Sequence, residues 1–210
     1  MKKYKLYLFD LDGTLLDSDQ MIIETFHELY NIYKPANFIS DDKNLITYSG
    51  PPISESLKKE FPELDQEEIL DVWREKSLRN YAKYTKLFPN VIEALTLLIK
   101  EGANVAIVTN KHKTATMEAL RLFGLDKLDV FTVTSDDVSN LKPSPEGLIV
   151  AMNHFEIPKE ETIYIGDSIY DLETAINAHI DFGLVSWTPR KIPENAKIAL
   201  KIDSFLDLLR

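Results

Sequence analysis

The chain of 210 residues contains no cysteine and no apolar run of about 18 residues. The first absence excludes a disulfide framework and a thiolate metal site, and the second excludes the usual membrane-spanning helix. The formal net charge of −10 disfavours nucleic acid and anionic membranes as partners. The short apolar stretch near the N-terminus ends at Asp10, too early for a secretory signal. We therefore expect a cytoplasmic globular protein, a monomer or homodimer, that binds neither nucleic acid nor membrane.

From about residue 88 onward, the sequence alternates between helical and strand periodicity. Apolar residues at helical spacing precede Gly102 and Gly124, which are placed as helix ends. Apolar segments typical of buried strands lie at 105–108, 130–133, 162–165 and 180–185, and further helices are predicted at 148–155 and 169–178. This alternation predicts an α/β fold, with a doubly wound, Rossmann-like parallel sheet whose ligand site lies at the carboxyl ends of the strands.

Residues 17–86 break this alternation and are helical in pattern throughout. Apolar side chains recur at helical spacing, and Pro35 and the Gly50-Pro51-Pro52 turn separate the segments. We expect an inserted α-helical cap domain at 17–86 and an α/β core built from 1–16 and 87–210. The cap tyrosines and Trp73 are expected mainly to pack.

Two acids follow the first predicted strand, the apolar run at 6–9, in the segment Asp10-Leu11-Asp12-Gly13-Thr14. Alternation along an extended chain would direct positions 10 and 12 to one side, where they could share a ligand. Crowding of two carboxylates raises one pKa, so that one acid can stay ionised while its neighbour holds a proton. Taken alone, the segment could equally be an Asx-rich turn at a strand end.

Three more polar clusters each follow an apolar run. Thr109-Asn110 follows the strand at 105–108, Lys142 lies in a Pro-flanked loop, and Gly166-Asp167 and Asp171 follow the strand at 162–165. In this order, the four clusters resemble the motifs of the haloacid dehalogenase superfamily, in the branch with a helical cap that includes phosphoglycolate phosphatases, pyrophosphatases and nucleotidases. The resemblance extends from Tyr4 to about Trp187.

The resemblance implies a Mg²⁺-dependent phosphatase that acts on a small phosphorylated substrate through an aspartyl-phosphate. Asp10 would be the nucleophile, and Asp12 would shuttle the proton. Mg²⁺ would be held by Asp10, the backbone carbonyl of Asp12 and Asp167, with Asp171 supporting the metal site. Thr109 and Asn110 would bind phosphoryl oxygens, and Lys142 would neutralise both the nucleophile and the phosphoryl group.

Each assignment has a structural alternative. Asp171 fits a helix capping box with Ser168, Thr109 or Asn110 could cap a helix beginning near Lys111, and Lys142 could be a solvated lysine. One departure from the family follows the fourth motif, where Ala178-His179 replaces the usual Ala-Gly and could alter the turn before the last predicted strand.

The acid at position 12 separates this chain from the dehalogenases of the superfamily, which lack it. Mutases of the beta-phosphoglucomutase type carry a cap histidine where this chain has Ile22, and Lys34 is a poor match to the lysine of phosphonatases. The segment around Gly50 and Pro51 resembles a substrate-specificity loop, and Lys58 could reach an anionic substrate, although both could be ordinary features of a helical connection. Phosphotransfer of the mutase type and a non-catalytic binding module remain as alternatives.

Overall fold

A six-stranded parallel sheet forms the centre of the computed structural model, which describes residues 3–209. The strand order is β5-β4-β1-β6-β7-β8. The strands are β1 (Leu6–Phe9), β4 (Asn104–Val108), β5 (Phe131–Val133), β6 (Thr162–Gly166), β7 (Asp181–Val185) and β8 (Leu200–Ile202). The chain runs outward from β1 to β5 on one side and then from β6 to β8 on the other. The carboxyl end of β1 therefore lies where the strand order reverses, as expected for a ligand site.

The central strand β1 is buried along its whole length because helices cover both faces of the sheet. Tyr7 and Phe9 point into one apolar cluster together with α5 (Val91–Lys100) and α6 (Lys113–Phe123). Leu6 and Leu8 point into the other, together with α7 (Glu146–Phe155) and α8 (Ile169–Ala178). The predicted doubly wound α/β fold is confirmed.

The chain between β1 and α5 forms the helical insertion. It contains α1 (Asp19–Tyr33), α2 (Asp42–Leu45), α3 (Ile53–Glu60) and α4 (Gln66–Tyr84). Helix α1 packs along α4, where the ring centroids of Phe26 and Trp73 are 4.8 Å apart. Trp73 is buried, so its predicted packing role is confirmed.

A two-stranded antiparallel ribbon joins the insertion to the sheet. It pairs β2 (Leu16–Asp17) with β3 (Lys86–Leu87). A hydrogen bond of 3.0 Å from Phe88 N to Leu15 O extends this pairing. The domain boundaries at 17 and 86 stay a prediction, and both positions lie within this ribbon.

The C-terminal part of the sheet extends beyond the sequence-based expectation. Strand β8 adds a sixth parallel strand after 180–185, and a short 3₁₀ helix, Phe205–Leu209, follows it. His179 ends α8 in the left-handed conformation with φ of 58°, so the turn usual for Ala-Gly forms with a histidine in it. Among residues 3–209, no helix has both the length and the apolarity needed to cross a bilayer.

Candidate active site

Asp10 is the first residue after the central strand. Its N–H donates to Ile165 O at 2.9 Å, which continues the pairing of β1 with β6 by one residue. The Asp10 side chain is buried, with only 3% of the residue exposed. The fold therefore holds this carboxylate rigidly at the carboxyl edge of the sheet, between β4 and β6.

Lys142 reaches this carboxylate from the loop between β5 and α7. Its Nζ lies 2.7 Å from Asp10 Oδ1, 2.7 Å from Asp171 Oδ1 and 3.0 Å from the hydroxyl oxygen of Tyr164. Burial alone would lower the pKa of Lys142, but the Asp10 and Asp171 carboxylates outweigh that effect and raise it above its ordinary value. The alternative of a solvated lysine is therefore wrong, and Lys142 is a buried cation between two acids.

Asn110 fixes the backbone of Lys142. Its Oδ1 accepts a hydrogen bond from Lys142 N at 2.8 Å, and its Nδ2 lies 3.3 Å from Lys142 O. The same Nδ2 lies 3.3 Å from Gly50 O in the cap. Asn110 thus connects the end of β4, the lysine loop and the cap.

Asp10, Asp167 and Asp171 form a buried cluster of acids. One carboxylate oxygen from each lies within 4.8 Å of the others. Burial raises the pKa of Asp10 to about 7, although Lys142 opposes the shift. Burial also raises the pKa of Asp167 well above its ordinary value, although the guanidinium of Arg190 opposes it. Buried carboxylates are costly without compensating charge, and clustered oxygen ligands suit Mg²⁺, so these residues fit the Mg²⁺ that the resemblance implies.

Asp171 also forms the capping box that was the structural alternative for it. Its Oδ2 accepts from Ser168 N at 3.1 Å, and Asp171 N donates to Ser168 Oγ at 3.3 Å. Its Oδ1 accepts from Lys142 and, at 2.8 Å, from Tyr164. Burial would raise the pKa of Asp171, but Lys142 and these hydrogen bonds lower it. Capping and orientation of Lys142 therefore coexist in one side chain.

Asp12 lies beyond the end of β1, so the alternation of a strand does not extend to it. Its Oδ1 accepts from the hydroxyl of Tyr81 at 2.8 Å, and its Oδ2 lies 3.0 Å from Lys111 Nζ. Burial would raise the pKa of Asp12, but Lys111 and the hydrogen bonds lower it. The surroundings of Asp12 therefore favour its ionised form.

Helix capping does not explain Thr109 and Asn110. The helix expected near Lys111 begins at Lys113, and its N-cap is His112, whose Nδ1 accepts from Thr114 N at 3.4 Å. Thr109 is buried at the end of β4, and its Oγ1 accepts from Lys111 N at 3.2 Å. Beside Thr109, Asn110 and Lys142 lies a cavity of about 10 Å³, which is room for about one water molecule.

The structure places two of the cap residues predicted to contact substrate, Gly50 and Pro51, near the site, and the third, Lys58, on the surface. Gly50 has φ of +115°, and a Cβ there would lie 3.2 Å from Ser168 Oγ, so the cap loop closely approaches the fourth motif. Pro51 is half-buried next to it, whereas Lys58 is exposed on α3.

Several residues near the acids, Tyr81 beside Asp12 among them, were not predicted from the sequence as part of the site. Lys111 contacts Asp12, Tyr164 contacts Lys142, and Arg190 pairs with Asp167. Tyr164 lies inside an apolar strand and is typical of a core residue. Arg190 lies in the segment that follows the carboxyl end of β7 at Val185, and that place was the available signal.

Comparison with known proteins agrees with this geometry. The family model described as haloacid dehalogenase-like hydrolase matches residues 7–185. A protein named pyrophosphatase PpaX from Halalkalibacterium halodurans is 37% identical over 183 residues, covering 87% of this chain and 84% of the relative. The pyrophosphatase PpaX of Bacillus cereus strain Q1 is 32% identical over 209 residues, covering 99% and 95%.

A solved structure shows the same fold at lower identity. It is a HAD-superfamily hydrolase of subfamily IA, variant 1, from Geobacter sulfurreducens, with a TM-score of 0.74 and 24% identity, covering 98% of this chain and 95% of that one. The buried acids at the strand ends, the inserted helices and the family match together identify this chain as a member of the haloacid dehalogenase-like hydrolases, a phosphatase of that fold.

Proposed function

We propose that this protein is a Mg²⁺-dependent phosphohydrolase that cleaves a small phosphorylated substrate through an aspartyl-phosphate on Asp10. The observation that carries the proposal is the buried Lys142 ammonium, which lies 2.7 Å from Asp10 Oδ1 in a cluster with Asp167 and Asp171. Because relatives at 32–37% identity are named pyrophosphatases, inorganic pyrophosphate is the first substrate to test. Phosphoglycolate, nucleoside monophosphates and sugar phosphates are the others.

Asp10 attacks and Asp12 moves the proton. Lys142 holds Asp10 Oδ1, so we assign the attack on phosphorus to Oδ2. As the bond between Asp10 Oδ2 and phosphorus forms, the bond to the leaving oxygen breaks, and Asp12, protonated in the substrate complex, gives that oxygen its proton. Asp12 then removes a proton from water, the resulting hydroxide attacks the phosphorus, and inorganic phosphate leaves with Asp10 restored.

Charge neutralisation is the main requirement because a carboxylate must approach an anionic phosphoryl group. Lys142 neutralises Asp10 and the phosphoryl oxygens, and Thr109 and Asn110 are assigned as further donors to those oxygens. Mg²⁺, when bound, would neutralise the remaining phosphoryl charge. Asp10, Asp167 and the backbone carbonyl of Asp12 would hold it, with Asp171 supporting the site through Lys142 and Ser168.

The two alternatives have less support. A mutase needs a proton-transferring group on the cap, whereas the corresponding Ile22 is apolar and buried at 5% exposure. A binding module would gain nothing from two buried acids on a buried lysine with a third buried acid beside them, because such charges are costly to desolvate.

The proposal is tested by measuring phosphate release with Mg²⁺ from pyrophosphate and the other candidate substrates, ranked by kcat/KM. Asp10→Asn keeps the size of the side chain, and we expect it to lower kcat by about 10³-fold or more. The matched control is Asp126→Asn, an exposed acid far along the chain, which should leave kcat unchanged. No turnover of any substrate by folded wild-type protein, or full turnover by Asp10→Asn, would refute the proposal.

A further inference from the structure

Arg190 joins the catalytic core to the cap with one buried side chain. It lies in the segment after β7, and only 6% of its side chain is exposed. Its Nη1 donates to Asp167 Oδ2 in the core, and its Nη2 donates to Asp19 Oδ1 in the first turn of α1. Burial would lower the pKa of Arg190, but Asp167 and Asp19 outweigh that effect and raise it.

The same guanidinium binds the backbone of the cap loop. Its Nε lies 3.2 Å from Ser49 O, and its Nη2 lies 3.1 Å from Ile46 O. These carbonyls belong to the segment that leads directly into Gly50, which contacts Asn110 and lies against Ser168. Arg190 therefore holds the part of the cap that lies over the phosphoryl-binding side chains.

The backbone around Arg190 is fastened to the same core residue. Thr188 Oγ1 donates to Asp167 O at 2.7 Å and accepts from Arg190 N at 3.1 Å. The segment 188–190 thus fixes the backbone from which the Arg190 side chain extends. Asp167 fixes one end of the guanidinium. The guanidinium of arginine is planar and carries five N–H donors, so it can hydrogen-bond two carboxylates and two carbonyls at once. A lysine ammonium cannot.

A simple stabilising role does not explain this arrangement well. Buried ion pairs often contribute little net stability because both partners lose their hydration. Arg190 instead binds Asp167 of the clustered acids at one end and two backbone carbonyls of the segment before Gly50 at the other. Its contacts coincide with the two parts of the site that must come together when the cap closes over substrate.

We propose that Arg190 is a positioning residue that sets substrate specificity by holding residues 46–50 of the cap on the catalytic centre. This inference rests on the proposed phosphohydrolase function and names a determinant of its substrate size. With the loop held, the site accepts a compact substrate such as pyrophosphate and disfavours a bulky phosphate ester. With the loop released, the compact substrate loses contacts and the bulky ester gains room.

The test compares Arg190→Ala and Arg190→Lys with wild type, using pyrophosphate and an aryl phosphate as substrates. For Arg190→Ala we expect KM for pyrophosphate to rise about tenfold, kcat to change less, and the kcat/KM ratio of aryl phosphate to pyrophosphate to rise about tenfold. This corresponds to about 1.4 kcal/mol of discrimination. Arg190→Lys should not restore the wild-type ratio. Arg121→Ala, an exposed arginine on α6, should match wild type.

Hydrogen exchange gives a readout that does not depend on turnover. Amides 46–50 should exchange about tenfold faster in Arg190→Ala. Asp19→Asn should show part of that increase, because it removes one cap contact and leaves the contact with Asp167. If Arg190→Ala does not fold, Asp19→Asn and Arg190→Lys carry the same comparison.

Unchanged exchange at 46–50 together with an unchanged specificity ratio in the folded variants would overturn the inference. Absence of any wild-type turnover would instead count against the proposed function, and exchange would still report on Arg190. A uniform loss of stability with an unchanged ratio would assign Arg190 a purely structural role and also contradict the inference.

Discussion

The hydroxyl of Tyr81 lies 2.8 Å from Oδ1 of Asp12, so a cap helix directly orients a side chain of the catalytic core. Lys111 Nζ lies 4.0 Å from the centroid of the Tyr81 ring and 3.0 Å from the other oxygen of Asp12. The proposed proton shuttle is thereby held from both domains, and its orientation depends on the position of the cap.

Removing this hydroxyl should slow turnover without unfolding the protein. We expect Tyr81→Phe to lower kcat about tenfold, because the lost hydrogen bond orients Asp12. A hydrogen bond to a charged group contributes about 1.5–3 kcal/mol. Steady-state kinetics measures the effect. Tyr84→Phe, one turn further along α4, is the matched control, and an equal loss in both variants would contradict the assignment.

Lys142 should be essential for both stability and turnover. Lys142→Met keeps an unbranched side chain one atom shorter, but it leaves Asp10 and Asp171 buried without their cation, which costs about 3–5 kcal/mol. Urea denaturation should show this loss, and phosphate release should disappear. Lys100→Met, at an exposed position on α5, should change the free energy of unfolding by less than about 0.5 kcal/mol.

Gly13 should tolerate no side chain because it lies against Asp167, one of the three clustered acids. Its φ is +86°, and a Cβ there would overlap the carboxylate of Asp167. Gly13→Ala should lower kcat about 10²-fold by displacing that acid, in addition to a strain of about 1–2 kcal/mol. Gly102→Ala has a similar φ of +89°, and apart from its chain neighbours no atom of the described residues lies within 4 Å of the added Cβ. It should show the strain alone, so equal kinetics in the two variants would contradict the prediction.

Alkaline pH should destabilise the cap through its tyrosines. Tyr30 and Tyr48 both donate to the carboxylate of Glu60. Burial, followed by Glu60, raises the pKa of Tyr48 to about 12, and the pKa of Tyr30 is raised for the same reasons. A raised pKa means that the folded state holds the proton more tightly. The stabilisation is therefore complete below about pH 10 and is lost as the pH rises through about 12.

Glu60→Gln removes the negative charge beside both hydroxyls, so we expect the tyrosinate titration of the folded protein to begin at lower pH. Ultraviolet absorbance of tyrosinate and circular dichroism, recorded together, measure ionisation and unfolding. Glu63→Gln, which changes an exposed acid in an ion pair with Lys34, should leave the titration unchanged. An identical titration in Glu60→Gln would refute the prediction.

Replacing His179, which ends α8 in the left-handed conformation, by glycine should stabilise the protein. A non-glycine residue with φ of 58° costs about 1 kcal/mol. His179→Gly should therefore raise the free energy of unfolding by about that amount, whereas His179→Ala, which keeps a Cβ, should not. Urea denaturation of wild type and the two variants measures the free energy of unfolding. We expect kcat to stay the same because His179 lies at the far end of α8 from Asp171.

The core could be predicted from local pattern because its elements alternate in sequence and are nearly all buried. The run at 6–9 and the helix at 169–178 have the bounds that periodicity indicated. Strand β8 was missed because Leu200–Ile202 is a short edge strand of half-buried, exposed and buried residues. Such a segment acquires its identity only from pairing with β7.

The site was predicted less completely than the fold. Strand ends pointed to Asp10, Thr109 and Asp167, since parallel strands bring their carboxyl ends to one edge. Contacts between the cap and the core, such as Tyr81 with Asp12, join residues 69 positions apart. No local pattern encodes these contacts. The spacing argument for Asp12 stays a prediction, because the chain leaves the strand at Phe9 and tertiary partners then decide the direction of the Asp12 side chain.

The ribbon formed by β2 and β3 determines how the helical insertion can move. The chain crosses between insertion and sheet twice, and the two crossings are paired as antiparallel strands, with Leu16 opposite Leu87 and Asp17 opposite Lys86. Rotation about the ribbon keeps this pairing, whereas translation or independent movement of either crossing breaks it. We therefore expect a one-axis hinge, which returns Gly50 to the same place against Asn110 after every substrate enters and every phosphate leaves.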